Sequence, residues 1–115
     1  MHVFITDALV IDLEKETWQC RGCEAELGSA RENYKSFLRV RPRNPQDIHA
    51  PIIDKDRYEF TFAPDPEWTR IVEYYCPHCA RQMEAEYLPP GHPPAHDIEL
   101  DIDALKAQWA DREAL

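Results

Sequence analysis

The sequence predicts a small α+β chain, mostly antiparallel β, with a zinc-ribbon-like core, a long insertion and a short C-terminal helix. Three observations carry that expectation. Two Cys-x-x-Cys pairs, Cys20-Arg-Gly-Cys23 and Cys76-Pro-His-Cys79, are each approached by a β-prone stretch. At 115 residues the chain is one ordinary domain with a real but modest core. Five of the ten prolines fall within residues 42–67, which marks much of the middle as irregular connection. The reading is a single domain, 1–115, with an insertion over 24–67 and an extended proline-rich arm over 88–96.

Each element has a local reason. Residues 2–13 (HVFITDALVIDL) are rich in β-branched and apolar types and predict one or two short strands. Glu14 to Gln19 leads into the first knuckle, with Trp18 placed to pack beside it. Ser29-x-x-Glu32 has the form of a capping box, which would open a short helix through Leu38. A strand over Ser36–Arg41 competes with that helix, and Pro42 and Pro45 are expected to end whichever forms. Tyr58-Glu-Phe-Thr-Phe62 alternates as a strand. Trp68 to Tyr75 feeds the second knuckle as a strand and Met83–Leu88 returns from it, the half-element of a zinc ribbon. Leu88-Pro-Pro-Gly-His-Pro-Pro94 is a stiff arm. Asp97-Ile-Glu-Leu-Asp-Ile-Asp103 alternates polar and apolar residues and predicts an edge strand. Asp103 would then cap a helix over Ala104–Arg112, with Leu105 and Trp109 on one face.

The cysteines carry the metal argument. Neither a basic n-region nor a cleavage site marks the N-terminus, and no window approaches 18 consecutive apolar residues. A soluble, cytoplasmic protein without a membrane partner is therefore expected, and paired thiols there read as a metal site. Two residues between thiols let one tight turn aim both sulfurs at a single ion, and two turns complete a tetrahedron. Closing the 52-residue separation costs about 3–4 kcal/mol, whereas a structural zinc contributes about 10–16 kcal/mol. Four thiolates leave no open coordination position for a reactive water. Cys20, Cys23, Cys76 and Cys79 are thus expected to hold a structural Zn²⁺. Iron in a rubredoxin-like site and a redox-active pair are the competing readings. Neither pair is followed by glycine: Glu24 and Ala80 occupy those places. His78 reads as an exposed turn residue, with a His-for-Cys exchange left open.

Charge narrows the partners. The chain carries 22 acids against 13 bases, net −9, and its hydrophobic share of 43% suggests a fold that leans on a staple or a partner. One basic island interrupts the acidity: residues 31–43 (RENYKSFLRVRPR) hold five bases and one acid. Tyr34 and Phe37 among Arg31, Lys35, Arg39, Arg41 and Arg43 have the composition of a nucleic-acid patch. The surrounding acidity argues against a nucleic-acid partner and for pairing with the chain's own acids or with an acidic protein surface. The histidines (His2, His49, His78, His92, His96) are scattered, and residues 97–103 lack the glycine of a calcium loop. With three glycines and only Ser29 and Ser36 as serine nucleophiles, no phosphate loop or nucleophile elbow exists. The chain itself is expected to be non-catalytic.

Taken together, CRGC at 20–23, ENYKSFLRVRPR at 32–43, EYYCPHC at 73–79, and LPPG followed by DIELDID resemble the small gamma subunit family of acetone and acetophenone carboxylases. The resemblance spans most of residues 18–103, and the chain's length is similar to the acetophenone type. It implies a hetero-oligomeric complex in which large, hydantoinase-like subunits use ATP and a divalent metal. Those subunits would activate the ketone and bicarbonate and join them into a 3-oxo acid. It also implies a zinc-bearing structural role for this chain and carries over only the four cysteines. A stand-alone zinc-ribbon adaptor, recruiting protein or nucleic acid through residues 31–43, is the rival.

Overall fold

The computed structural model describes residues 1–51, 56–57 and 63–112, so the strand expected at Tyr58–Phe62 lies outside the described residues. Two antiparallel sheets form. The first is a meander, β1 (His2–Phe4), β2 (Leu9–Asp12), β3 (Thr17–Cys20) and β4 (Glu26–Ser29), in spatial order 1-2-3-4. The second orders β5 (Arg39–Arg43), β6 (Arg70–Tyr75) and β7 (Gln82–Leu88) as 5-6-7. Two helices complete it, α1 (Pro45–Ile48) and α2 (Ile102–Trp109). Residues 24–67 therefore supply β4 to one sheet and β5 to the other.

Local chemistry sets the turns of the first sheet. Thr6 Oγ1 accepts the N–H groups of Ala8 and Leu9 at 3.2 and 3.1 Å, closing the β1–β2 turn. Asp12 Oδ1 does the same for Glu14 and Lys15 before β3. Gly28 is a packing requirement: a Cβ there would sit 2.5 Å from the Phe37 ring.

The sheets share one core. Trp18, Tyr34 and Tyr74 are all fully buried, and the Trp18 and Tyr34 rings meet edge to face at 5.5 Å. Trp18 Nε1 donates to the Glu32 carbonyl at 3.0 Å, so its one polar atom is satisfied in the interior. Ile11, Val72, Leu88 and Ile102 belong to the same cluster, and Leu105 and Trp109 pack on it from α2.

Four expectations change. The Ser29–Glu32 capping box does not form a helix; Ser29 Oγ instead accepts the Arg31 N–H in a local turn. The helical turn is a short 3₁₀ segment at Tyr34–Phe37, whose cap is Asn33, accepting the Lys35 N–H at 3.1 Å. The competing strand forms as β5, and Pro42 lies inside it, opposite Val72, because an edge strand has no partner needing that missing N–H. Residues 97–101 form no strand. Their alternation is satisfied by an extended segment in which Ile98 faces the core, Asp97 pairs with Lys35 and Asp101 caps α2 through the Ala104 N–H. Asp101, not Asp103, is thus the cap, and the helix starts two residues before the expected Ala104.

A buried lysine clasps the C-terminal arm to the body. The Lys35 side chain is wholly inaccessible; its Nζ lies 2.8 Å from Glu86, 2.9 Å from the Ala95 carbonyl and 3.1 Å from Asp97. Tyr74 donates to the other Glu86 oxygen, and the Tyr34 and Tyr74 rings flank the ammonium at 5.7 and 5.5 Å. Sequence reasoning expected the basic island to pair with the chain's own acids or with an acidic partner surface, and Lys35 does the former, but its burial was not foreseen. Its i, i+1 neighbour Tyr34, buried with it, was the available signal.

Candidate metal centre

Both knuckles are built by one local plan, repeated at a shift of 56 residues from Cys20 to Cys76. Each follows a strand with a β-bulge just ahead of the first cysteine, between Trp18 and Gln19 and between Tyr74 and Tyr75. In both pairs the extra residue lies on the returning strand, Leu27 of β4 and Met83 of β7, and it kinks that strand beside the knuckle. Cys20 N–H then donates to the Ala25 carbonyl and Glu24 N–H to Cys20, at 3.0 and 2.8 Å; Cys76 to Arg81 and Ala80 to Cys76 repeat the pattern, both at 2.9 Å. Glu24 and Ala80 take φ of 63° and 62°, the left-handed conformation that favours glycine. The sequence departs from glycine at two positions where the backbone asks for it.

The two turns converge. One sulfur ligand atom from each of Cys20, Cys23, Cys76 and Cys79 lies within 4.8 Å of the others, the only such cluster among the described residues. Two of the separations cross between knuckles: Cys20 to Cys79 at 3.7 Å and Cys23 to Cys76 at 3.8 Å. A disulfide needs about 2.05 Å. A tetrahedron with metal–sulfur bonds of about 2.3 Å has edges of about 3.8 Å. The spacing therefore suits four ligands around one ion, and the set could bind a metal such as zinc. Cys20 and Cys76 are buried in the core, while Cys23 and Cys79 face outward.

The thiols resist carrying four charges alone. The Ala25 N–H favours the Cys23 thiolate, but desolvation and the three neighbouring sulfurs outweigh it and push this thiol up to about 12. The Arg81 N–H pulls Cys79 in the same favourable direction, yet desolvation and the neighbouring Cys76 and Cys20 leave it raised. Burial disfavours the Cys76 thiolate, but N–H groups of Cys79 and His78 and the Cys79 and Cys23 thiols bring it below its usual value. Sulfurs crowded this closely oppose one another's ionisation, and a divalent cation removes that repulsion.

The other candidates separate. His78 contributes its backbone N–H to Cys76 Sγ at 3.4 Å. His92 and His96 do not join the cluster. The basic island divides: Arg31 pairs with Glu16 and Asp103, both at 2.6 Å, Lys35 is in the clasp, and Arg43 pairs with Glu73 at 3.2 Å. Arg39 and Arg41 remain exposed. No helix among the described residues is long and apolar enough to cross a membrane.

Comparisons with known proteins identify the family. The family model described as "Acetone carboxylase gamma subunit" matches residues 3–110. The chain is 53% identical over 107 residues to the acetophenone carboxylase beta subunit of Aromatoleum aromaticum, covering 93% of this chain and 81% of that protein. It is 31% identical over 97 residues to the acetone carboxylase gamma subunit of Xanthobacter autotrophicus, covering 84% of this chain and 54% of that protein. The chain belongs to the acetone carboxylase gamma subunit family.

Proposed function

We propose that this chain is the zinc-stapled structural subunit of a cytoplasmic, hetero-oligomeric, ATP-dependent ketone carboxylase whose catalytic groups lie on large, hydantoinase-like partner subunits. Cys20, Cys23, Cys76 and Cys79 would hold the zinc. The observation that carries the reading is the convergence of four sulfurs, two from each sheet, in a chain 53% identical to an acetophenone carboxylase subunit. A four-sulfur zinc has no open position, so its contribution is to fold and shape. The dimensions support a role against partners. The chain measures 64 × 26 × 25 Å with a radius of gyration of 18.5 Å, where a compact domain of about 100 residues has about 13 Å. Exposed Trp68, at 77%, and Phe4, at 62%, are large apolar side chains of the kind that interfaces cover. The pairing of Arg31, Lys35 and Arg43 with the chain's own acids speaks against the adaptor that would recruit nucleic acid through residues 31–43.

Reconstitution tests it. Large subunits co-expressed with and without this chain are assayed for ATP-dependent fixation of labelled bicarbonate into acetophenone and into acetone. Fixation that requires this chain, in a complex containing zinc, supports the proposal. Equal fixation without it contradicts the proposal.

A further inference from the structure

We infer that the open edge of β5 is the docking strip for an extended, acidic segment of a large partner subunit, gripped by Arg39 and Arg41; this rests on the carboxylase reading above. Among the described residues β5 pairs only with β6, which leaves its other backbone edge without a strand partner from those residues. Arg39, Arg41 and Arg43 alternate along the strand and so project from one sheet face, opposite Tyr75, Glu73 and Ile71 of β6. The local acid is already committed. Glu73 is buried, accepts from Tyr75 at 2.9 Å and pairs with Arg43 at 3.2 Å. Arg39 and Arg41 are left exposed in a chain of net charge −9, Arg41 lending only a longer-range attraction to Glu73. Between them Val40 is 52% exposed, and Arg39, Val40 and Arg41 share a surface concavity with Tyr75, Pro77 and His78 of the second knuckle.

The occupant follows from charge and geometry. An added strand places alternate side chains about 6.8 Å apart, the spacing of Arg39 and Arg41, so carboxylates at alternate positions meet both guanidiniums. A polyanion is disfavoured by the acidity of the rest of the chain. A second copy is disfavoured twice. Antiparallel pairing of β5 with its own copy sets arginines against arginines. The chain's own acidic stretch is engaged too: Asp97 with Lys35, Asp101 as a helix cap and Asp103 with Arg31. Arginine and Pro42 thus guard this edge against self-association while leaving it open to an acidic partner.

The test uses the full chain co-expressed with the large carboxylase subunits of its own host, one of them tagged. The double variant Arg39→Glu/Arg41→Glu should keep its metal content and thermal midpoint yet associate roughly tenfold more weakly, and wild-type association should weaken with salt. A photo-crosslinker at Val40 should map to an acidic extended segment of a large subunit. Undiminished association of the double variant overturns the inference and leaves the carboxylase reading standing. Wild-type chain that does not associate at all overturns both. A dimer of this chain, or binding to polyuridylate, that the double variant abolishes assigns the strip to another occupant and overturns it as well.

Discussion

Two buried polar clusters hold this molecule together, and they solve one electrostatic problem in opposite ways. At the knuckles, four thiols meet between the sheets, and the compensating charge must come from outside the chain. At the clasp, one ammonium meets two carboxylates, and both signs are encoded in the sequence. The first would become a staple once a metal is bound. The second brings residues 95–97 against the turn at 34–37 with the chain's own charges. The difference separates the part of the fold that a bound metal would hold from the part the chain holds by itself.

The largest expected effect breaks the staple alone. Cys76→Ser removes a buried ligand, and a structural zinc site contributes about 10–16 kcal/mol, more than a small domain's net stability. Zinc content should fall to near zero and the cooperative thermal transition should disappear. A variant that keeps one zinc per chain with an unchanged transition would contradict the shared site.

Breaking the clasp should cost less and leave the metal in place. Lys35→Met leaves Glu86 partly buried beside Tyr74 without its cation, a change worth about 3–5 kcal/mol. Denaturant unfolding should show that loss while zinc stoichiometry stays at one, and protease should cut first in the proline arm. Loss of zinc together with the clasp would mean that the two clusters are not separable.

Acid should probe the clasp in a graded way. Burial pushes the Glu86 carboxyl up, but hydrogen bonds from Lys35 and Tyr74 outweigh it, so the folded group titrates below its ordinary value of 4.5. A depressed carboxylate contributes stability that is fully present above the unfolded value and is lost as pH falls through the folded one. Wild type and Lys35→Met should therefore converge in stability only as pH falls below 4.5 and through the depressed titration of Glu86. A gap that persists there would place the Lys35 contribution outside its ion pair.

The smallest effect sharpens the staple. Glu24→Gly and Ala80→Gly relieve a left-handed backbone that costs about 1–2 kcal/mol, offset by the greater entropy of glycine in the unfolded chain. Each should raise the thermal midpoint slightly, by under about 1 kcal/mol of stability. A clear destabilisation would show that the side chains contribute more than their backbone strain costs.

The convergence of the four cysteines was legible in the sequence and the clasp was not, for a physical reason. Ligand spacing is local: Cys20 with Cys23 and Cys76 with Cys79 each announce a turn, and only one long closure had to be inferred. The strand approach to the second knuckle was legible too, from the β-branched and aromatic run at 68–75, whereas Glu14 to Gln19 gave no such signal for β3. The clasp joins residues 35, 86 and 97, and no period or motif links a lysine in a basic run to carboxylates more than 50 positions away. The misread strand at 97–103 fails for the same reason. Its alternation reports an extended chain with one buried side, and whether a neighbouring strand pairs with it is decided elsewhere. Pro42 misleads in the opposite direction, since a residue that ends a central strand is accommodated at an edge.

X-ray absorption spectroscopy at the zinc edge, on the full chain purified anaerobically, tests the central claim most directly. One zinc per chain with four sulfur neighbours at about 2.3 Å is the expected result. Nitrogen or oxygen neighbours at the zinc, or stoichiometric iron in its place, would contradict a four-cysteine zinc staple between the two sheets.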